Sequence, residues 1–239
     1  MKGEKIEIVY QLNKLSAKDV WDCIFTFLKE ENISIETEVE FIDKTRKLKE
    51  VAECISSEGR SHFGVMFEGI SIQYSQIPSW RHELILVENN SESIHFKWEQ
   101  LVKLFFRKAL FIQAWVTDID YDYWQNATDP LQFKSSGKSF EELPLKSNGL
   151  PYPLEQMIID TSKNPGRRLL RDGYVEAVGS QMWFTRKFEQ ETGIDLNIEI
   201  SGCSVENQNG LIHVHCGDKL FVDNSTKNKQ ILLRQSIFP

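Results

Sequence analysis

The sequence predicts an α+β fold: mixed or antiparallel sheets packed with a few helices. Three observations carry that expectation. Ile6, Ile8, Tyr10 and Leu12 alternate with Glu7 and Gln11, the period of a half-buried strand. A capped amphipathic helix follows at once. The segments after it then mix strand and helix periods without the regular β-α-β alternation of a doubly wound sheet. The 239 residues are 41% hydrophobic and 26% charged, enough to bury a real core. The length suits an N-terminal α+β lobe over residues 1–96 and a C-terminal one over 97–239, or one continuous domain.

Ser16 stands as a helix N-cap with Asp19 three residues on, an Asp variant of the capping box, and Leu15 and Val20 occupy the staple positions. Val20, Trp21, Ile24, Phe25, Phe27 and Leu28 give the helix a wide apolar stripe that runs out near Glu31-Asn32. Strands are expected over 34–42, 47–56, 63–75 and 81–88, separated by turn residues. Leu101, Val102, Phe105 and Ala109 then recur at helical spacing across Glu99 to Leu110, followed by a strand over 111–123. From Ala127 to Pro153 periodicity is lost in Ser, Gly, Pro and Lys. A connection of that length is functional or is held by its own contacts.

Beyond it the sequence predicts a short strand at Gln156 to Asp160 and a turn at Asn164-Pro165-Gly166. A segment from Leu169 to Val178 follows, then a helix from Gln181 to Thr192 closed by Gly193. Strands at 195–206 and 211–216 make a hairpin, Lys219 to Val222 is a further strand candidate, and a last helix covers Ser225 to Ser236, capped by Asn224 or Ser225.

There are 35 acidic and 28 basic side chains, a formal net charge of −7. Such a chain gains no counterion-release affinity for a phosphate backbone and suits a basic partner. The N-terminal segment has no unbroken apolar run, and no stretch approaches a membrane span. Four widely spaced cysteines (23, 54, 203, 216) point to a reduced, cytoplasmic protein.

Cys203, His213, His215 and Cys216 look like zinc ligands until their register is worked out. An Asn209-Gly210 two-residue turn puts Glu206 opposite His213, Ser204 opposite His215 and Cys203 opposite Cys216. Thiols and imidazoles then leave opposite faces of the hairpin, which tetrahedral ligation does not allow. Buried free thiols are the expectation.

Asp118, Asp120 and Asp122 alternate with Ile119, Tyr121 and Tyr123. On a strand they would form a row of carboxylates, a solvated face or a docking surface for a basic partner, with Trp124 as aromatic anchor and Glu141 and Glu142 as further contacts. The same row could ligate Mg²⁺ or Ca²⁺. Arg167, Arg168 and Arg171 lack a glycine-rich phosphate loop and are expected in surface ion pairs. His62, His82 and His95 are scattered. No Gly-x-Ser-x-Gly elbow, His-Glu-x-x-His or dinucleotide fingerprint is present. Trp80, Trp124 and Tyr152 stand in polar surroundings, as interface anchors or as seals of lobe edges.

The stretch Ile159-Asp-Thr-Ser-Lys-Asn-Pro-Gly-Arg-Arg-Leu-Leu-Arg-Asp-Gly-Tyr-Val-Glu-Ala-Val-Gly179, followed by Met182-Trp-Phe184, resembles the C-terminal part of immunity proteins of bacterial polymorphic-toxin systems. The type is the one paired with restriction-endonuclease-like nuclease toxins. The resemblance implies a non-enzymatic protein that binds and blocks a cognate toxin, needs no cofactor and touches neither nucleic acid nor membrane. The alternative is a small metal-assisted hydrolase or nuclease using the Asp118/Asp120/Asp122 row, with Glu176 or a distant His as base.

Overall fold

One antiparallel sheet of ten strands runs through the molecule in this computed structural model, which describes residues 3–108, 110–196, 200, 202–217 and 219–238. The first half contributes β1 (Glu4–Gln11), α1 (Ala17–Glu30), β2 (Glu38–Phe41), β3 (Lys44–Lys47), α2 (Val51–Ser57), β4 (Phe63–Phe67), β5 (Ile70–Ile77), β6 (His82–Asn89) and α3 (Trp98–Phe106). The second contributes β7 (Phe111–Asp118), α4 (Ile119–Asn126), α5 (Pro130–Ser135), β8 (Leu145–Ser147), β9 (Met157–Ile159), β10 (Leu169–Arg171), β11 (Tyr174–Glu176), β12 (Gln181–Thr185), α6 (Arg186–Thr192), β13 (Ser204–Gln208), β14 (Leu211–His215) and α7 (Lys227–Ile237). Strand order is β13-β14-β12-β7-β1-β6-β5-β4-β2-β3, so β1 lies near the centre between β6 and β7. The α+β class is as the sequence predicts. Among the described residues no helix is long and apolar enough to cross a membrane.

The two faces of the sheet are covered by different halves of the chain. Ile6, Ile8 and Tyr10 point to one face, where Trp21, Phe27, Leu101 and Phe105 of α1 and α3 and Val51 and Ile55 of α2 pack on them. Val9, Ile112, Trp115, Met182 and Phe184 belong to the other face, closed by Phe188 of α6 and Leu233 and Ile237 of α7. Trp183 and Leu211 come from the second half yet sit in the first core. The helix α3 also packs there, although it follows residue 96. A boundary at 96/97 therefore cuts neither the sheet nor the cores cleanly.

The capping box of α1 is present: Ser16 Oγ accepts from Asp19 N at 3.0 Å, and Asp19 Oδ2 accepts from Ser16 N at 3.2 Å. Other local expectations need correction. Residues 47–56 are not a strand. Leu48, Val51 and Ile55 recur at helical spacing and bury one face of a 3₁₀ turn and α2. The 63–75 strand is two strands, broken at Glu68-Gly69, where both residues take positive φ (45° and 81°), as a tight hairpin turn requires. Residues 181–192 are a strand and then a helix. Met182, Trp183, Phe184 and Thr185 extend the sheet beside β7, and Thr185 caps α6 by accepting from Lys187 N at 3.2 Å.

The β13–β14 register matches the turn-based derivation, with Glu206 opposite His213 and Ser204 opposite His215. Cys203 and Cys216 are joined as a disulfide, however, so the expectation of free thiols fails there, while Cys23 and Cys54 are free. No strand forms over 219–222, and part of the 195–206 segment lies outside the described residues. The last helix begins at Lys227, later than the expected Ser225; Thr226 at its N-cap makes no side-chain capping bond, and upstream Asp223 Oδ1 accepts from the Ser225 amide at 2.8 Å.

Candidate protein-binding surface

The strand β7 ends at Asp118 because that side chain caps a helix: its Oδ1 accepts from Tyr121 N at 2.8 Å. A carboxylate row on a strand 111–123 is therefore corrected to three acids with three separate tasks. Asp118 is a buried cap. Asp120 is exposed and accepts from Trp124 Nε1 at 2.8 Å. Asp122 is buried and meets Lys5 Nζ at 2.7 Å. Neither buried acid can face a partner, and the three do not converge on a cation. Among the described residues no group of three or more His, Cys, Asp or Glu side chains is placed to hold a metal.

Asp122 belongs to a charge cluster beneath α4. Lys5 Nζ also contacts Glu7 Oε1 at 3.2 Å, and the wholly buried Glu7 carboxylate accepts from the Arg168 guanidinium. Two acids and two bases thus balance. Burial pushes the Asp122 carboxyl up, against the pull of Lys5. Burial also acts to lower Lys5, but Glu7 and Asp122 outweigh it and hold the ammonium above its ordinary value. Glu7 raises the Arg168 guanidinium. Arg168 is therefore not in the surface pair expected from the sequence. Arg171 pairs with Glu176 at 2.6 Å, which occupies the carboxylate considered above as a base.

The same end of α4 is tied to the 160s turn. Asn164 Nδ2 donates to Gln125 O at 2.8 Å, Gly166 N to Gln125 Oε1 at 3.0 Å and Arg168 N to Asn126 Oδ1 at 2.6 Å. Arg234 of α7 donates to the Pro165 and Arg167 carbonyls from behind, and burial lowers it to about 10. These contacts fix both ends of the excursion from 127 to 160.

The excursion has its own small core of Ala127, Phe133 and Ile159, with Trp124 and Phe140 packed against it. Trp124 meets Phe133 at 4.7 Å between ring centroids and carries Lys138 Nζ at 4.8 Å over its ring. It is a half-buried part of this base and not a free anchor. β8 and β9 pair as a short hairpin, closed by Lys146 Nζ to Asp160 Oδ1 at 2.9 Å. Lys146 and the Ser162 amide lower the Asp160 carboxyl to about 2.

Asn148 organises the hairpin tip. Its Oδ1 accepts from Leu150 N at 3.1 Å and Gln156 N at 3.2 Å, and its Nδ2 donates to Leu154 O at 3.0 Å. The outcome is a defined loop that points apolar side chains at solvent. Tyr152 is 91% exposed, Leu131 69% and Leu154 61%, with Leu145, Leu150 and Met157 exposed beside them. Glu141 and Glu142 are exposed on the same excursion. Exposed large apolar side chains concentrated on one excursion make it the candidate interaction surface.

Sequence inspection singled out Tyr152, Trp124, Glu141 and Glu142, and missed Leu131, Leu145, Leu150, Leu154 and Met157. The available signal was their occurrence in a Pro- and Gly-rich connection with no periodicity to bury them.

No known family and no curated protein matches the chain. Among solved structures it is similar to the Pseudomonas aeruginosa T6SS protein PA0821, with a TM-score of 0.52 and 9% identity. The match covers 99% of this chain and 72% of that one, and at this identity it is a likeness of fold.

Proposed function

We propose that the chain is a toxin-neutralising immunity protein that binds and blocks a cognate bacterial toxin, a nuclease by the sequence resemblance. It acts as a binding protein and not as an enzyme. The observation that carries the proposal is the preorganised apolar tip of the excursion, Leu150, Tyr152 and Leu154 held around Asn148. A rigid loop loses little conformational freedom on binding, so most of its desolvation appears as affinity. The sequence resemblance to immunity proteins supports a toxin as the partner class, and the likeness of fold to a T6SS protein is compatible with it. Of the expected acidic contacts, Asp120, Glu141 and Glu142 are exposed and available to a partner, while Asp118 and Asp122 are buried.

The test is site-specific photocrosslinking from position 152 in the producing cell, with position 18 on the opposite helical layer as control. A single protein captured from 152 alone, whose isolated activity is toxic and falls on adding this chain, supports the proposal. Capture of a non-toxic protein, or equal capture from both positions, contradicts it.

A further inference from the structure

In the first half of the chain the helices cover one sheet face only, and the opposite face of β2, β4 and β5 carries no layer among the described residues. Register places a lateral row of side chains on that bare face: Thr45, Glu40, Met66, Ser71, Glu88 and Lys5, on adjacent strands from the β3 edge inward. Lys5 is spent on the charge cluster under α4, so the open part of the row runs from Thr45 to Glu88. Its centre is shallow. Gly64, Ser71, Gln73 and Ser75 are small or polar, and the position of a Gly64 side chain is empty space. Met66, 53% exposed, is the one large apolar group in the middle. Grooves of about 560 Å³ and 410 Å³ lie against it, both lined by Glu40, Met66 and Ser71.

The charge on this face that lacks an ion-pair partner among the described residues has one sign. Glu40, Asp43, Glu68 and Glu88 have no ion-pair partner among the described residues, while Lys47 is occupied by Glu38 at 3.3 Å. Glu40 and Glu88 stand three strand spacings apart, roughly 14 Å, which brackets the roughly 10–12 Å diameter of an α-helix. The eight residues of β5 extend about 27 Å, the length of an 18-residue helix.

We infer that this bare face seats a basic amphipathic helix of the protein partner. The helix lies along β4 and β5, with a narrow apolar stripe on Met66 and Lys or Arg side chains reaching Glu40 on one flank and Glu88 on the other. It supplies the layer that the chain itself lacks there. Opposed charges set its orientation and speed its approach. The inference rests on the protein-binding reading and adds a second contact surface to the excursion.

The probe is a synthetic 18-residue helical peptide with one leucine stripe flanked by lysines, compared with a scrambled peptide of the same composition. Binding is followed by anisotropy at low salt and mapped by backbone amide shifts. The expected footprint covers residues 64–75 and 84–88, and the scrambled peptide binds at least tenfold more weakly. Glu40→Lys with Glu88→Lys weakens the ordered peptide at least tenfold. Gly64→Trp, which fills the floor without altering charge, does the same. A footprint elsewhere, equal binding of the scrambled peptide, or indifference to Gly64→Trp overturns the seat. So does a dimer of the chain alone that Gly64→Trp dissolves, because the occupant is then a second copy. Toxin blocking that depends on the excursion while the peptide fails to dock removes this inference and leaves the proposed function standing.

Discussion

Replacing Glu7 by Gln tests whether the buried charge cluster fastens the excursion to the sheet. Glu7 is fully buried on β1 and meets both Lys5 and Arg168, and the four charges of the cluster sum to zero. Glu7→Gln keeps the shape and leaves one uncompensated positive charge. Removing one partner of a buried pair costs about 3–5 kcal/mol. The Arg168 side chain is one-third exposed and finds partial solvation, which favours the lower end, about 3 kcal/mol. Arg168→Met keeps the packing stem and leaves Glu7 to Lys5, so about 2 kcal/mol is expected. Because the two changes break one shared contact, the double variant should cost nearer 3 than 5 kcal/mol.

Urea unfolding at pH 7 measures all three. For a chain of this length Glu7→Gln lowers Tm by roughly 6–12 °C. Amide exchange should rise over 119–168 and stay unchanged in α1. Additivity within about 0.5 kcal/mol, or unchanged exchange over 119–168, would refute the pairing of Glu7 with Arg168 as the fastening contact.

Further expectations are separable by site. Burial holds the His82 imidazole below its ordinary 6.5, so the unfolded chain takes a proton there before the folded one does. The stability contributed by a neutral His82 is intact above pH 6.5 and declines as pH falls through that value. Wild type should therefore lose more stability than His82→Gln between pH 7.5 and 5, and parallel curves would count against it. Cys203→Ser with Cys216→Ser opens a ring of sequence separation 13 and should cost about 3 kcal/mol, matched by treating the wild type with reductant. No change under reductant would mean the thiols are not joined in solution. A Cβ on Gly179 would stand 2.3 Å from the Val116 carbonyl oxygen and 2.9 Å from its nitrogen, so Gly179→Ala should destabilise by about 2–3 kcal/mol in urea unfolding. A cost below about 0.5 kcal/mol would show that β7 and β12 are free to move apart there.

Local signals in the sequence carried the elements whose evidence is local. Ser16 and Asp19 define the start of α1, and Asn209-Gly210 defines the β13–β14 register down to the pairing of Cys203 with Cys216. The α+β class followed from such signals alone. Where period and tertiary context compete, the sequence misleads. Asp118 to Tyr123 alternates as a strand does, yet Asp118 caps a helix, and Lys5, remote in sequence, draws Asp122 inside. Leu48, Val51 and Ile55 share one helical face, and the Lys, Glu and Ala residues between them favour the helix that the strand reading missed. The zinc reading of 203–216 failed on register, as derived, and the chemistry left at the site is a disulfide. The exposed leucines of the excursion escape pattern analysis because an exposed loop has no period. They become visible only when Asn148 is seen to hold the tip open.

The most direct measurement of the central claim is toxin neutralisation by the wild type and by Leu150→Ser/Tyr152→Ser/Leu154→Ser, using the toxin captured from position 152. All three side chains are exposed, so the variant should unfold at the same urea concentration as the wild type. Wild-type protein is expected to abolish the toxin's activity at equimolar ratio, with the triple variant binding at least 100-fold more weakly, an affinity loss of about 2.7 kcal/mol or more. Equal protection by wild type and variant would contradict the assignment of the excursion as the binding surface.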